Sequence, residues 1–259
     1  MTSTSLTRDP ETLNGYIYRQ LRRIGLLDYP AIRFSQSIRI NRYSSGDIIF
    51  ERGAKVTEWT LVVSGLVAMN VSTSQYDSIP LVIYGIGSWF GEDAILNNEL
   101  SQGTYQCLSD SVVMQMNEYA FKELHKSEVG FNSKMNYLIA KRYQRIAELH
   151  TLQKIGTPCM KVVMGIAYVS EALYTELETQ QSIESITIPV SQTVLASLCG
   201  VSRTTLSEYI LKLAKHKMIQ TNYGKVQVMQ VSKWKKLIAR HQSSSIIVPV
   251  NDIDEFLKI

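Results

Sequence analysis

The chain has 259 residues, 45% of them hydrophobic and 19% charged, with a formal net charge of +4. That composition fits a soluble globular protein of one large or two ordinary domains, and no apolar run approaches the ~20 residues that cross a bilayer, so no membrane partner is expected. Three cysteines without short spacing (Cys107, Cys159 and Cys199) argue against a disulfide framework or a zinc site; with an N-terminus that lacks a signal-peptide pattern, they point to a reducing cytoplasm.

The charge is unevenly spread. Residues 201–241 carry nine Lys or Arg and a single acid, Glu208. By contrast, the 66 residues between Lys55 and Lys122 contain seven acids and no Lys, Arg or His. A basic C-terminal part joined to an acidic middle suggests polyanion binding at one end and a separate task at the other.

Residues 10–26 read as a helix. Asp9 can cap it, Pro10 suits its first turn, and Leu13, Tyr16, Ile17, Leu21 and Ile24 recur at helical spacing. From about residue 36 the pattern changes to short strands rich in Ile, Val and Tyr: "SIRINRY", "DIIFERG", "EWTLVVSGLVAMNVS", "IPLVIYGIG" and "QCLSDSVVMQMN". Gly46, Gly53, Gly65, Gly87 and Gly91 fall at the proposed turns, which indicates an antiparallel sandwich or barrel.

Residues 118–155 return to helical spacing, first a short helix over "NEYAFKELHKS" and then a long one over "SKMNYLIAKRYQRIAELHTLQK". Met135, Ile139, Arg142, Ile146 and Leu149 follow alternating steps of four and three. This is a coiled-coil seam with one polar position, so the five residues are candidates for pairing with a second copy; the alternative is an ordinary helix packed on the sheet. Gly156-Thr157-Pro158 makes a break and a plausible hinge. A further helix follows near "CMKVVMGIAYVSEALYTEL", and "SITIPV" reads as a strand.

The next stretch carries the function. Ser191 can cap a short helix over Gln192–Leu198, Cys199-Gly200-Val201 makes a tight turn, and Ser202 caps a second helix. There Leu206, Ile210 and Leu213 form the buried stripe, while Thr204, Glu208, Leu211 and Lys215 lie opposite, with Ser207 and Lys212 on the flanks. Asn222-Tyr223-Gly224-Lys225 then joins two short strands in a hairpin. Helix, turn, helix and hairpin make a winged helix-turn-helix, whose second helix places its N-terminal side chains in the DNA major groove. Arg203 can bond guanine O6 and N7 together, Glu208 can accept from cytosine N4, and Thr204 and Ser207 can read neighbouring bases. Lys212, Lys225 and Gln192 suit phosphates.

Taken together, residues from about 36 to 235 resemble the CRP/FNR family of bacterial transcription regulators. The resemblance rests on "SSGDIIFERG", "WTLVVSGLVAM", "WFGEDAIL", the long helix and "VSRTTLSEYILKLAKHKMI". It implies an α+β fold with an N-terminal antiparallel β-roll of the cyclic-nucleotide-binding kind, a long dimerisation helix and a C-terminal winged helix. The expected divisions are 1–35 (helical extension), 36–125 (roll), 126–155 (dimerisation helix and hinge), 156–241 (winged helix) and 242–259 (tail of unassigned role). By similarity Arg203, Thr204, Ser207 and Glu208 match base-reading positions. Members often carry Glu where Thr204 stands and Arg where Glu208 stands, so a different half-site is expected.

Cyclic-nucleotide binders of this family follow Phe-Gly-Glu with an Arg-Ser pair, the Glu holding the ribose and the pair holding the cyclic phosphate. Here Phe90-Gly91-Glu92 is intact, but Gln102-Gly103, followed by Thr104, stands where Arg-Ser belongs. Phosphate recognition normally needs charge-assisted donors, and any cation would have to come from outside the run, such as Lys134 or Lys141 on the long helix. Gly91, Glu92, Gln102, Gly103 and Thr104 therefore make a degenerate ligand pocket. Gly91 and Glu92 also read as a turn whose acid caps a short helix over Asp93–Leu96.

The expected function is a homodimeric, sequence-specific DNA-binding transcription regulator not controlled by cyclic AMP. The alternative is a sensor whose roll binds another small molecule or responds to redox state through a cysteine. The expected partners are double-stranded DNA, a second copy of the chain and RNA polymerase. No cofactor, metal or enzymatic activity is expected: His125, His150, His216 and His241 are scattered, and no nucleophile–base pair is placed.

Overall fold

The computed structural model of the chain describes residues 10–72, 78–174, 183–222, 225–243 and 250–258. Helix α1 (Pro10–Arg23) buries Ile17 and Leu21 against the core of the first half; its proposed cap, Asp9, lies outside the described residues. The helix stops three residues short of the expected end. A second helix that the sequence did not announce, α2 (Asp28–Ser35), follows and adds Ala31 and Phe34 to the same core. Two buried residues in eight give too little periodicity to recognise in advance.

Residues 38–117 fold mainly as strands, each paired antiparallel with others. These are β1 (Ile38–Tyr43), β2 (Ile48–Phe50), β3 (Glu58–Ser64), β4 (Val67–Val71), β5 (Ile79–Tyr84) and β6 (Trp89–Phe90), then helix α3 (Glu92–Asn97), then β7 (Thr104–Cys107) and β8 (Ser111–Asn117). They form two four-stranded sheets, ordered β1-β8-β3-β6 and β2-β7-β4-β5. All five turn glycines have positive φ. The strand pieces match the sequence reading, except that two-residue β6 is too short to show as a pattern.

Strand β3 does not alternate: Trp59, Thr60, Leu61 and Val62 are all buried. Both its faces are covered, as in sheets that carry helices on their outer side. The cover comes from α4 (Glu118–Ser127) and α5 (Val129–Ile155). Phe121 of α4 and Phe131 of α5 lie 4.9 and 5.5 Å from the Trp59 ring. Truncating so buried an aromatic costs about 3–5 kcal/mol. Helix α5 has 27 residues and is therefore about 40 Å long.

After the break at Gly156, Thr157 caps α6 (Pro158–Glu171) by accepting from the Met160 N–H at 3.3 Å, with Pro158 in the first turn. Eleven consecutive or near-consecutive residues of α6, from Cys159 to Ser170, are buried, as expected of a helix apolar all round. It is the axis of the second half, surrounded by β9 (Ser185–Ile188), α7 (Gln192–Cys199), α8 (Arg203–Lys215), β10 (Ile219–Asn222), β11 (Lys225–Met229) and α9 (Val231–Ser243). Strands β10, β11 and β9 form one antiparallel sheet, so "SITIPV" supplies a third strand beside the hairpin. The hairpin's Tyr223 and Gly224 lie outside the described residues. So do residues 244–249 of the tail, whose remainder includes α10 (Ile253–Lys258). Val250 and Ile253 enter the core of the second half, Asp252 lies 3.9 Å from Lys212, and Asp254 lies 2.8 Å from His216.

The two halves touch along α5 and the β5–β6 turn. Leu66 of the β3–β4 turn packs in the core of the second half. The Ile86 N–H donates to the Ala172 carbonyl at the end of α6 (2.9 Å), and Gln153 of α5 donates to the Cys199 carbonyl (3.2 Å).

Candidate DNA-binding surface and roll pocket

The helix-turn-helix forms for local reasons. Ser191 Oγ accepts from the Val194 N–H (3.3 Å) and Ser202 Oγ from the Thr205 N–H (3.1 Å), each satisfying an otherwise orphaned donor of the first turn. Between them Gly200 adopts φ +65°, the left-handed conformation that favours glycine after a helix. Leu206, Ile210 and Leu213 are buried as expected.

Arg203, Thr204 and Glu208 are exposed on the first two turns of α8. Ser207 is half-buried, and its hydroxyl donates to the Arg203 carbonyl at 2.9 Å, leaving its lone pairs for a partner. Gln192 is half-buried at the start of α7 and Lys225 is exposed at the start of β11. Lys212 is drawn toward the tail, 3.9 Å from Asp252 and 5.1 Å from the Tyr209 ring. The sequence reading missed α9. Its Val231, Trp234, Leu237 and Ile238 are buried, while Lys233, Lys236 and Arg240 share an exposed face. Their spacing in "VSKWKKLIARHQ" was the available signal.

In the roll, Gly91 at φ +96° turns the chain into α3, whose first residue is Glu92. Its carboxylate is buried and already partnered on both oxygens. Trp59 Nε1 donates to Oε2 at 3.1 Å, and Arg142 of α5 forms an ion pair with Oε1. The same guanidinium donates to the Trp89 carbonyl and lies 5.4 Å from the Tyr84 ring centre. Burial pushes the Tyr84 hydroxyl up to about 12. Trp59 stacks on Trp89 at 3.7 Å and Phe90 on Tyr105 at 4.8 Å, so aromatic rings fill the roll around Glu92.

The residues at the expected phosphate end bond within their own surroundings. Gln102 Nε2 donates to the Leu100 carbonyl (3.3 Å), the Gly103 carbonyl accepts from Ser101 Oγ (2.7 Å), and Thr104 Oγ1 accepts from the Arg52 N–H (3.2 Å). Lys134 and Lys141 do not enter the roll; both lie against Tyr137. The cation that reaches the pocket is Arg142, and it neutralises Glu92.

Three of the five residues of the proposed dimer seam have partners within the chain. Met135 is buried in the roll core, Arg142 is bound to Glu92, and Leu149 packs against the second half's core. Ile139 and Ile146 stay exposed, joined by Tyr143. The spacing of three and four was real, but two faces only about 60° apart share it, and the roll claims one of them.

All three cysteines are buried. Burial pushes Cys159 and Cys199 up to about 12 and raises Cys107 as well, which suppresses the thiolate that redox chemistry needs. Among the described residues no cluster of metal ligands exists, and no helix is long and apolar enough to cross a membrane.

An antiparallel roll joined through a long helix to a winged helix-turn-helix defines a class of DNA-binding regulators. The family model described as cyclic nucleotide-binding domain matches residues 40–128, and the Crp-like helix-turn-helix domain matches residues 169–240, together more than half of the chain. The chain belongs to the CRP/FNR family of transcription regulators, a family whose members are not enzymes. Solved structures share the fold. FixK2 from Bradyrhizobium japonicum is 13% identical over 77% of this chain and 96% of its own, with a TM-score of 0.64. The c-di-GMP responsive regulator CLP of Xanthomonas campestris is 16% identical over 78% and 98%, at 0.59. A CRP-family transcriptional regulator of Thermus thermophilus, TTHB099, is 17% identical over 80% and 98%, at 0.58. No curated protein sequence is similar enough to match the chain.

Proposed function

We propose that the chain works as a cytoplasmic homodimer that binds a two-fold symmetric DNA site without control by cyclic AMP. The observation that carries the effector half of this reading is the occupied state of Glu92. A ribose hydroxyl would compete with Trp59 and Arg142 for a buried carboxylate, and the phosphate would find no cation among Gln102, Gly103 and Thr104. Breaking a buried pair is costly, about 3–5 kcal/mol when one partner is removed.

On this reading Arg203, Thr204, Ser207 and Glu208 meet base edges, and Lys212, Lys225 and Gln192 meet phosphates. Dimerisation uses Ile139, Tyr143 and Ile146, an exposed apolar seam that water would otherwise cover. The two α8 helices then enter successive major grooves, about 34–36 Å apart. The division of labour follows the elements: roll to the end of α4, dimerisation through α5, and DNA binding from α6 onward, with the tail folded into that last part. Its action on transcription runs through RNA polymerase.

Titration calorimetry with cyclic AMP and cyclic GMP tests the effector half. No heat is expected, and binding in the micromolar range would overturn it. Mobility shifts against random and selected DNA in rising salt test the other half. A protein that showed no preference for any sequence would not be the regulator proposed.

A further inference from the structure

A cavity of about 360 Å³ lies away from Gln102 and Gly103, where roll, long helix and second half meet. Its walls come from β5 and the turn after it, from one face of α5, and from α6 and the end of α7. Its volume is within the range of small-molecule sites. Val82, Leu138, Leu149, Val169 and Leu198 give it an apolar body. Lys141, Arg142 and Arg145 give it a cationic side.

The charges on that side are not balanced. Lys141 and Arg145 stand four residues apart on one helix face, where like charges repel. Glu92 takes Arg142, and Glu171 takes one edge of Arg145 through Nη2 at 2.6 Å. Among the described residues no carboxylate pairs with Lys141. The guanidinium of Arg145 is held in place by Glu171 and by the Tyr168 ring, 4.1 Å from its carbon. Its Nη1 is buried and has no hydrogen-bond partner among the described residues. A buried donor left without an acceptor is destabilising, so each such group calls for an explanation.

We propose that this cavity binds a small monocarboxylate with an apolar body. Its carboxylate takes Arg145 and Lys141, and its apolar part lies among Val82, Leu149, Val169 and Leu198. Among the lining residues Lys141, Arg142 and Arg145 face one acid, Glu171; Glu92 takes Arg142, and Glu148, outside the lining, meets the Tyr168 hydroxyl at 3.5 Å, so the cationic wall suits an anion. A neutral apolar compound would leave Arg145 Nη1 unpaired, and a cation would add to the repulsion. The cavity shares Arg142, Tyr84 and Trp89 with the surroundings of Glu92, but the proposed carboxylate site uses Arg145 and Lys141, and its binding test uses no DNA, so it stands or falls separately from the DNA-binding reading. An occupant touches elements of both halves, and so can couple to DNA affinity to the extent that it binds one arrangement of them better.

The test is calorimetry and thermal shift on the full chain, with decanoate and 2-naphthoate as aliphatic and aromatic probes and decanol and decylamine as controls. One carboxylate, or both, is expected to bind one per chain and raise Tm; whichever binds tells which body the cavity prefers. Decanol is expected to bind at least about tenfold more weakly, the loss of a charge-assisted bond. Arg145→Met should weaken carboxylate binding by a similar factor. Val82→Trp, which fills the cavity from the roll side without touching the cations, should abolish it. No binding of either carboxylate up to about 1 mM, equal binding of decanol, or unchanged binding by Val82→Trp would overturn the proposal. Operator affinity measured with and without saturating ligand tests the coupling, and an unchanged value would overturn that part.

Discussion

Arg142 and Glu92, fifty residues apart, form an ion pair that fastens the long helix to the turn after β6. Glu92 is 2% exposed and Arg142 26% exposed, so the two partners have different stakes in it. Removing Arg142 strands a carboxylate that water cannot reach, and of its side-chain donors among the described residues only Trp59 remains. Arg142→Met is expected to destabilise the chain by about 3–5 kcal/mol in urea unfolding. The double change Glu92→Gln, Arg142→Met also removes the stranded charge and should recover much of that loss. If the double variant is as unstable as the single one, Arg142 acts through its packing on Tyr84 and not through charge.

Arg203 stands exposed in the first turn of α8, where a helix in the major groove presents base-reading side chains. Arg203→Ala should cost about 1–3 kcal/mol on the preferred site and relax one base position. Lys225, at the start of β11, should behave differently. Lys225→Ala should weaken binding about equally on all sequences and lower the salt slope by about one. Binding measured on a set of single-base variants at several salt concentrations separates the two. A uniform loss for Arg203→Ala would make it a phosphate contact.

The elements legible in the sequence were those whose cause is local. Ser191, Gly200, Ser202 and the Leu206–Ile210–Leu213 stripe each act within one or two turns, and the structure has each of them. The missing phosphate cation was legible too, because a run of 66 residues without one leaves no choice of register. What was not legible depended on which surface a residue meets. Met135, Arg142 and Leu149 share a seven-residue spacing with Ile139 and Ile146, and only the packed roll and second half decide that the first set faces inward. Helix α2 was missed because two buried residues in eight are weak evidence until something packs on them, whereas the 13 residues of α9 carried a readable spacing that went unused. The cavity was beyond reach, since it is assembled from β5, α5, α6 and α7.

The exposed seam on α5 makes a test of dimerisation that spares the fold. Ile139 and Tyr143 are exposed and lie outside the contacts to Glu92 and the roll core. Ile139→Glu with Tyr143→Glu places like charges on both sides of a paired seam, so sedimentation should show a monomer with an unchanged circular dichroism spectrum. Loss of the dimer should also lower operator affinity steeply, because two half-sites would no longer be bound by one particle. A double variant that remains dimeric would move the interface off this face.

Alkaline stability reports on the buried thiols. Cys199 has a folded value near 12 against an ordinary 9.0, raised by burial, and Cys159 is raised by the same cause. A group whose folded value is raised stabilises fully below its unfolded value. That contribution is lost as pH rises toward the folded one, because the unfolded thiol ionises first. Above pH 9.0, ionisation of each unfolded thiol should therefore lower stability progressively as pH rises. Cys199→Ala should be less stable than the parent at pH 8, having lost packing beside Gly165, yet its stability should fall less steeply above pH 9. Urea unfolding at half-unit steps from pH 8 to pH 11 measures both slopes. Parallel slopes would mean that the Cys199 thiol ionises as readily in the folded chain as in the unfolded one, which its burial between α6 and α7 should prevent.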